Sequence, residues 1–340
     1  MKTVRLALLG YGNAGRAFGR MLERKKADIR RLYDAEVVIT ALVTGSRGSL
    51  FQPEGLDVAA AEADLAKNGR FTDDSGMDAM AVIQSGAYDV LVELTPISIR
   101  DGQPAITHIE TALNLGKDVI TANKGPIAWA WRRLTDLAAA KGCKFYYETT
   151  VMDGTPVFNL ASETLRLCTI TEVDGILNAT TNYILGELEK GVSFEDAVKT
   201  GREKGFVEAD PSMDIDGWDA AAKLTALMNV LMNAGLTPND IDRTGIRDVT
   251  AAEVQAARAR GMAVKLVCRG WLENGVPKGK VAPAEVPMDD AMATITGAAS
   301  IVGLTTDLAG KISVIEYEHK PEIDQTAYGI LSDLARILAG

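Results

Sequence analysis

Histidine is almost missing from this chain of 340 residues: His108 and His319 are the only two. Proton transfer must therefore fall to lysine, aspartate, glutamate or tyrosine. Cysteine is equally scarce. Cys143, Cys168 and Cys268 stand too far apart for a metal knot or a disulfide framework, a usage that fits a reducing, cytoplasmic setting. Long apolar runs are lacking as well. The longest stretches without a charge, Leu224–Asn239 and Ala291–Thr306, have 16 residues each, short of the ~20 that span a bilayer. Positive charge is in deficit, with 36 Lys and Arg against 46 Asp and Glu and a net charge of −10. That balance argues against nucleic acid or an anionic membrane as partner. The opening MKTVRLALLGYGNAGR has the outline of a secretory signal, but Arg5 interrupts its apolar part, and a glycine-rich turn stands where a cleavage site would be.

What is present is ordinary for a folded globular protein, with 47% hydrophobic and 24% charged residues. At about 150 residues per domain, the length suggests two domains. Val4–Leu9 is a short apolar run with a glycine-rich turn behind it, and Ala14–Glu23 puts Ala17, Phe18, Met21 and Leu22 on one helical stripe. Val37–Val43 reads as a second strand and Gly45–Ser75 as a polar insertion of loop and short helix. Asp89–Leu94 reads as a buried strand, Ala105–Leu115 as a helix and Asp118–Thr121 as a strand. Pro126 marks a helix start; that helix runs to about Lys141, and Lys144–Thr150 closes the series. Strands alternating with helices at this spacing imply βαβ units. They predict a Rossmann-type doubly wound parallel sheet, an α/β dinucleotide-binding domain, over residues 1–150. Beyond it the strict alternation ends. Strands at Val173–Leu177, Lys265–Trp271 and Ile312–Tyr317 lie among helices of uneven length, which predicts a second, α+β domain over 151–324. Gln325–Leu338 is amphipathic, and residues 325–340 are expected to pack back on the first domain.

Gly10, Gly12, Asn13, Ala14 and Gly15 belong to a G-x-G-x-x-G that follows a strand and opens a helix, the context a dinucleotide site requires. The first glycine allows the tight turn, the second lets backbone approach a pyrophosphate, and the third lets helix and strand pack closely. The plain alternative is a turn that merely joins β to α. A carboxylate that binds the ribose 2′-OH of NAD is expected at the end of the second strand. Here that end reads Val43-Thr44-Gly45-Ser46-Arg47, with a guanidinium and no acid. Arg47 suits the 2′-phosphate of NADP; otherwise it is a solvated loop residue.

Two further stretches carry chemistry. Between Gly201 and Leu224 lie Glu208, Asp210, Asp214, Asp216, Asp219 and Lys223. On a helix starting near Asp216, Asp219 and Lys223 are four apart and share a face, next to the apolar row Leu224, Leu227, Met228, Leu231. Either the pair is partly desolvated and Lys223 acts as acid or base, or it is an ordinary surface ion pair. Lys124, in TANKGP behind a parallel strand, faces either a ligand crevice or solvent beside a helix cap.

These stretches resemble the homoserine dehydrogenase family, over most of the chain. The resemblance rests on GYGNAG at 10–15, VELTP at 92–96, TANKGP at 121–126, ETTVMDGTP at 148–156, NATTNYIL at 178–185 and GFVEADPSMDIDGWDAAAK at 205–223. It implies interconversion of L-homoserine and L-aspartate 4-semialdehyde by hydride transfer with NAD(P), NADP being the cofactor Arg47 favours. By the same resemblance, Lys223 is the proton donor and acceptor, and Glu208 binds the substrate ammonium. Asp214 and Asp219 line that pocket, and Thr180 and Asn182 lie near the substrate. Thr95 and Lys124 lie near the nicotinamide and its ribose. A monovalent cation such as Na+ is implied at Glu148, Val151, Asp153 and Thr155, and a homodimer through the second domain. This sequence departs from the family's pattern at Phe206-Val207, at Ala179 and Thr181, at Met152-Asp153, and at Glu318–Asp324, where a glycine-rich loop is usual. Neither a kinase nor an ACT regulatory domain is expected. Two other readings remain: a relative with the same mechanism that acts on another hydroxy or amino acid, and a catalytically silent dinucleotide sensor or assembly subunit, against which Glu208, Asp219 and Lys223 speak.

Overall fold

The computed structural model describes residues 1–98, 100–317 and 323–340. Chain contacts divide it into two units, Met1–Pro156 together with His319–Gly340, and Val157–Glu318. The first unit runs β1 (Lys2–Leu9), α1 (Asn13–Tyr33), β2 (Ala35–Val43), β3 (Ser49–Phe51), α2 (Val58–Asn68) and α3 (Ala79–Ser85). It continues with β4 (Val90–Glu93), α4 (Ala105–Asn114), β5 (Asp118–Thr121), α5 (Lys124–Lys141) and β6 (Phe145–Tyr146). The sheet order is β3-β2-β1-β4-β5-β6. Its pairs are parallel except β2 with β3, which lies in the polar insertion and pairs back antiparallel on β2. The order reverses between β1 and β4, and in such sheets the ligand crevice lies over the strands' carboxyl ends at that point.

Helix α1 is about three turns longer than its first apolar stripe predicts. Glu23–Arg31 adds charged side chains that stay in water, while Ile29 continues the buried face. The helix ends only at Asp34, which takes the left-handed conformation (φ 47°). At the other end of the unit, the expected strand Lys144–Thr150 shrinks to Phe145–Tyr146. Register holds for Val119–Phe145 and Ile120–Tyr146. The chain then turns into a 3₁₀ turn, Glu148–Thr150, because the Glu148 N–H is taken by the carboxylate of Asp333 at 2.9 Å. That acid lies on the last helix, α12 (Ile323–Ala339 in chain order). Its stripe Ala327, Ile330, Leu334, Ile337 joins Phe18, Met21, Leu22 and the sheet residues Leu6, Leu8 and Ile39 in one core.

The second unit contains α6 (Val157–Thr164), β7 (Ile170–Ile176), α7 (Ala179–Glu189), α8 (Phe194–Lys204), α9 (Ser212–Ile215) and α10 (Trp218–Met232). It continues with β8 (Asp242–Arg243), α11 (Ala251–Ala259), β9 (Met262–Glu273), β10 (Val276–Pro287), β11 (Ser300–Thr306) and β12 (Gly310–Glu316). The sheet order is β12-β11-β7-β9-β10-β8. Neither β10 nor β11 is apparent in the apolar pattern. β10 carries Pro277, Pro283 and Pro287, all on one parity of the strand, so the missing N–H groups fall on a single side. That is the side away from β9, where β8 pairs with only Lys280 and Val281, and prolines are tolerated there. Gly270 and Gly279 leave room on the sheet for Met228 and Leu224 of α10. This seats the helix that carries Asp219 and Lys223.

Candidate active site

In the first unit, Gly10 has φ 99° and lies so close to Leu94 that any side chain would run into the Leu94 carbonyl. Its N–H and that of Tyr11 both donate to the Val43 carbonyl, each at 2.9 Å, tying the glycine turn to the end of β2. Gly15 packs on the turn it follows, where a β-carbon would stand 2.6 Å from the Gly10 carbonyl oxygen. Gly12 precedes α1 without a side-chain cap, and the first turn, Asn13, Ala14 and Gly15, holds no acid. The N–H groups there are oriented for an anion. These are the groups that could hold a pyrophosphate.

Arg47 lies half-buried in the turn after β2. Thr44 Oγ1 accepts its N–H at 2.7 Å and donates to the Gly48 carbonyl at 2.7 Å, which closes the turn. No ion pair or hydrogen bond engages the Arg47 guanidinium among the described residues. The structure also brings an acid to this edge that the local sequence does not reveal. Asp74 Oδ1 accepts the N–H groups of Ser49 and Gly76, both at 3.0 Å, which hold its carboxyl below the usual range. Its Oδ2 lies 3.5 Å from Arg70. Phe71 N–H donates to the Arg47 carbonyl at 2.9 Å, so this segment runs alongside the turn. Thr95 follows β4, and Lys124 is the first residue of α5, both at the carboxyl ends of neighbouring strands.

The catalytic-type residues of the second unit converge through one side chain. Asn178 Nδ2 donates to Asp214 Oδ1 at 2.7 Å and to Asp219 Oδ2 at 3.0 Å. Lys223 Nζ lies 3.3 Å from Asp219 Oδ2 and donates to the Leu177 carbonyl at 2.8 Å. The Lys223 and Asp219 side chains are only 22% and 11% exposed, so the pair is no ordinary surface bridge. Thr180 Oγ1 donates to the Phe206 carbonyl at 3.2 Å, which brings the loop before Glu208 to α7. Glu208 itself is exposed, and Arg202 holds its carbonyl and that of Ala209. The turn between α9 and α10 is fixed by Arg247, 2.8 Å from Asp216 Oδ1, and by Arg243, which donates to the Asp216 carbonyl and stacks on Trp218. Asn182 is not part of the cluster. It is buried, donates to the Gly297 carbonyl at 3.0 Å and accepts from Lys265 Nζ at 3.0 Å.

A nucleotide turn on a doubly wound sheet, with a lysine–aspartate cluster in a second unit, now meets its counterpart among known proteins. The family model described as homoserine dehydrogenase matches residues 156–335, and that for the homoserine dehydrogenase NAD binding domain matches residues 10–148. The chain belongs to the homoserine dehydrogenase family. It is an NAD(P)-dependent oxidoreductase of that activity. A homoserine dehydrogenase of Methanocaldococcus jannaschii is 36% identical over 98% of this chain and 98% of its own. An NAD(+)-dependent homoserine dehydrogenase of Pseudomonas canavaninivorans is 33% identical over 99% of this chain and 97% of its own. Among solved structures, a hyperthermophilic archaeal homoserine dehydrogenase in complex with NADPH is 25% identical, with a TM-score of 0.83, over 98% of this chain and 97% of that one.

Within this homoserine dehydrogenase fold, the loop expected to hold a cation is firmly built. Glu148 is buried, Met152 and Asp153 both take left-handed conformations (φ 58° and 45°), and Thr155 N–H donates to the Met152 carbonyl at 2.9 Å. Helix α12 clamps it: Thr326 Oγ1 donates to Asp153 Oδ1 at 2.9 Å, and Gly329 leaves room for Thr149 and the Asp153 carbonyl. Val151 is buried in the same loop. A buried carboxylate beside turned backbone suits a monovalent cation, but the Asp153 carboxylate itself is committed to Thr326. Asp333, wholly buried, has its carboxyl pushed up to about 8 by burial. The departure at Glu318–Glu322 lies outside the described residues, and Ile323 and Asp324 open α12 instead of a loop.

The sequence reading missed Asn178, although it opens the very NATTNYIL segment that was singled out. Its position as helix cap, Oδ1 accepting the Thr181 N–H at 2.8 Å, was the available signal.

Proposed function

We propose that Lys223 exchanges the proton, and that Asp219 and Asn178 hold it in place, when this enzyme interconverts L-homoserine and L-aspartate 4-semialdehyde. The observation that carries the proposal is the single Asn178 amide that bridges Asp214 and Asp219 beside Lys223. In the reducing direction the aldehyde carbon gains a hydride while its oxygen gains negative charge, which an ammonium neutralises and then protonates. The bound dinucleotide supplies that hydride. Glu208, exposed and without a side-chain partner among the described residues, takes the substrate ammonium. Asp214 and Thr180 shape the same pocket, with Asn182 supporting it from behind through Lys265 and Gly297.

On the cofactor side, Gly10, Gly12, Asn13, Ala14 and Gly15 receive the pyrophosphate, and Thr95 and Lys124 serve the nicotinamide half. NADP is the preferred cofactor, supported by the unengaged Arg47 guanidinium. Glu148, with the carbonyls of Val151, Asp153 and Thr155, binds a monovalent cation such as Na+. A homodimer through the second unit has the exposed Leu308 and Tyr317 beside its edge strand as support. The three free cysteines support a cytoplasmic setting. Domain limits of 1–150 and 151–324, with helix 325–340 on the first, complete the proposal.

Absorbance at the reduced-nicotinamide band tests it, with purified protein, L-homoserine, and NADP or NAD in turn. A homoserine-dependent rise, faster with NADP, is the expected result. No rise from folded protein that binds a dinucleotide would overturn the substrate, and a faster rise with NAD would overturn the preference.

A further inference from the structure

Glu93 ends β4 and is wholly buried. A buried carboxylate costs several kcal/mol unless its oxygens are well bonded. Here Oε1 accepts the Thr95 backbone N–H at 3.2 Å and also the Thr95 hydroxyl, and Oε2 lies 3.4 Å from the Thr121 hydroxyl. His108 Nδ1 on α4 stands 3.5 Å from Oε1, too long for a hydrogen bond. Among the described residues no lysine or arginine pairs with Glu93.

The network continues outward. Thr121 Oγ1 donates to the Glu93 carbonyl at 3.1 Å and accepts the Asn123 N–H at 3.0 Å. Asn123 Nδ2 donates to the Thr95 carbonyl at 3.2 Å, and its Oδ1 caps α5 by accepting the Gly125 N–H at 3.0 Å. One residue thus lies at the root of both segments that end β4 and β5, its carboxylate holding Thr95 and its carbonyl taking the Thr121 hydroxyl. An apolar side chain would fill this interior at lower cost, so stability does not account for the acid.

We infer that Glu93 is a positioning residue for hydride transfer: it holds Thr95 and, through Thr121 and Asn123, the start of α5 with Lys124, in the shape that receives the nicotinamide half of the cofactor. The inference rests on the proposed role of Thr95 and Lys124. It concerns the nicotinamide half, because the Glu93 side chain bonds Thr95, whereas the glycine turn bonds Val43 and meets this segment only at the Leu94–Thr95 backbone.

Binding of NADPH and of 2′,5′-ADP, which lacks the nicotinamide half, separates the two halves by calorimetry on the full chain. Glu93→Ala is expected to raise the NADPH Kd and lower kcat about tenfold or more, the equivalent of one lost hydrogen bond to a charged group. The Kd of 2′,5′-ADP is expected to stay within about twofold. Glu93→Gln keeps an acceptor for Thr95 and is expected to recover most of the loss. An unchanged NADPH Kd and kcat in Glu93→Ala, or an equal loss for both ligands, would overturn the inference. If Glu93→Ala does not fold, Thr121→Val decides: it must show the same split, smaller, and its absence overturns the inference. Parent protein that binds neither ligand would instead refute the reading of the site itself.

Discussion

Replacing Lys223 with methionine keeps the length and apolar stem of the side chain and removes only the ammonium. Two costs follow, and they differ in size. Asp219 loses a cation 3.3 Å away but keeps the Asn178 N–H at 3.0 Å. The pair lies between an exposed bridge, worth under about 1 kcal/mol, and a buried one, whose half-removal costs about 3–5 kcal/mol. With the Asn178 bond retained, Lys223→Met should lower stability by about 1–2 kcal/mol. Turnover should suffer far more. Loss of a general acid–base group typically removes a factor of about 10² to 10⁴, or about 3–5 kcal/mol in the barrier. The assay is kcat at saturating homoserine and NADP, with a thermal melt and the NADP Kd on the same preparation. The Kd should stay within about twofold, since the cofactor cradle is built from other residues. A kcat within about tenfold of the parent would fall short of the smallest loss that proton transfer predicts, and would remove Lys223 from the mechanism.

Arg47→Ala should weaken NADP about tenfold or more while changing NAD little, because a charge-assisted bond to phosphate is lost; equal changes in the two Kd values would refute the 2′-phosphate role. Gly10→Ala should cost at least about 2 kcal/mol in urea melts, given φ 99° and the Leu94 carbonyl in the way; a melt that does not move would mean the turn opens freely. Burial depresses the Lys265 pKa below its usual 10.5. The unfolded chain then binds more protons than the folded one in the window between the two values, and stability rises with pH there. Relative to Lys265→Met, the parent should gain stability as pH climbs through that window toward 10.5; a difference that stays flat from pH 8 upward, within about 0.3 kcal/mol, would contradict the depressed pKa.

The nucleotide turn was legible because it is local. A strand, three glycines and a helix follow one another within six residues of motif, and Gly10 and Gly15 do in the fold what their spacing demands. The same holds for Asp219 and Lys223, whose separation of four is a helical contact. Illegible features share a different cause. Asn178 stands 36 and 41 residues from the two acids it joins. Asp74 reaches Ser49 across 25 residues, and Asp333 reaches Glu148 across 185. Strand β10 hid behind its prolines, which only its place beside the two-residue β8 makes harmless.

By itself the sequence determined most local elements of the first half, its doubly wound character and the chemical types available: lysine and carboxylates for proton work, a glycine turn for phosphate. Tertiary structure alone decided which of those groups share an environment. It turned Asn182 toward Lys265 and away from the acids, set Asn178 between them, and sank Glu93 beneath Thr95. The reason is physical. Backbone periodicity expresses itself over a few residues, whereas the burial that makes a hydrogen bond or a charge matter is a property of the packed whole.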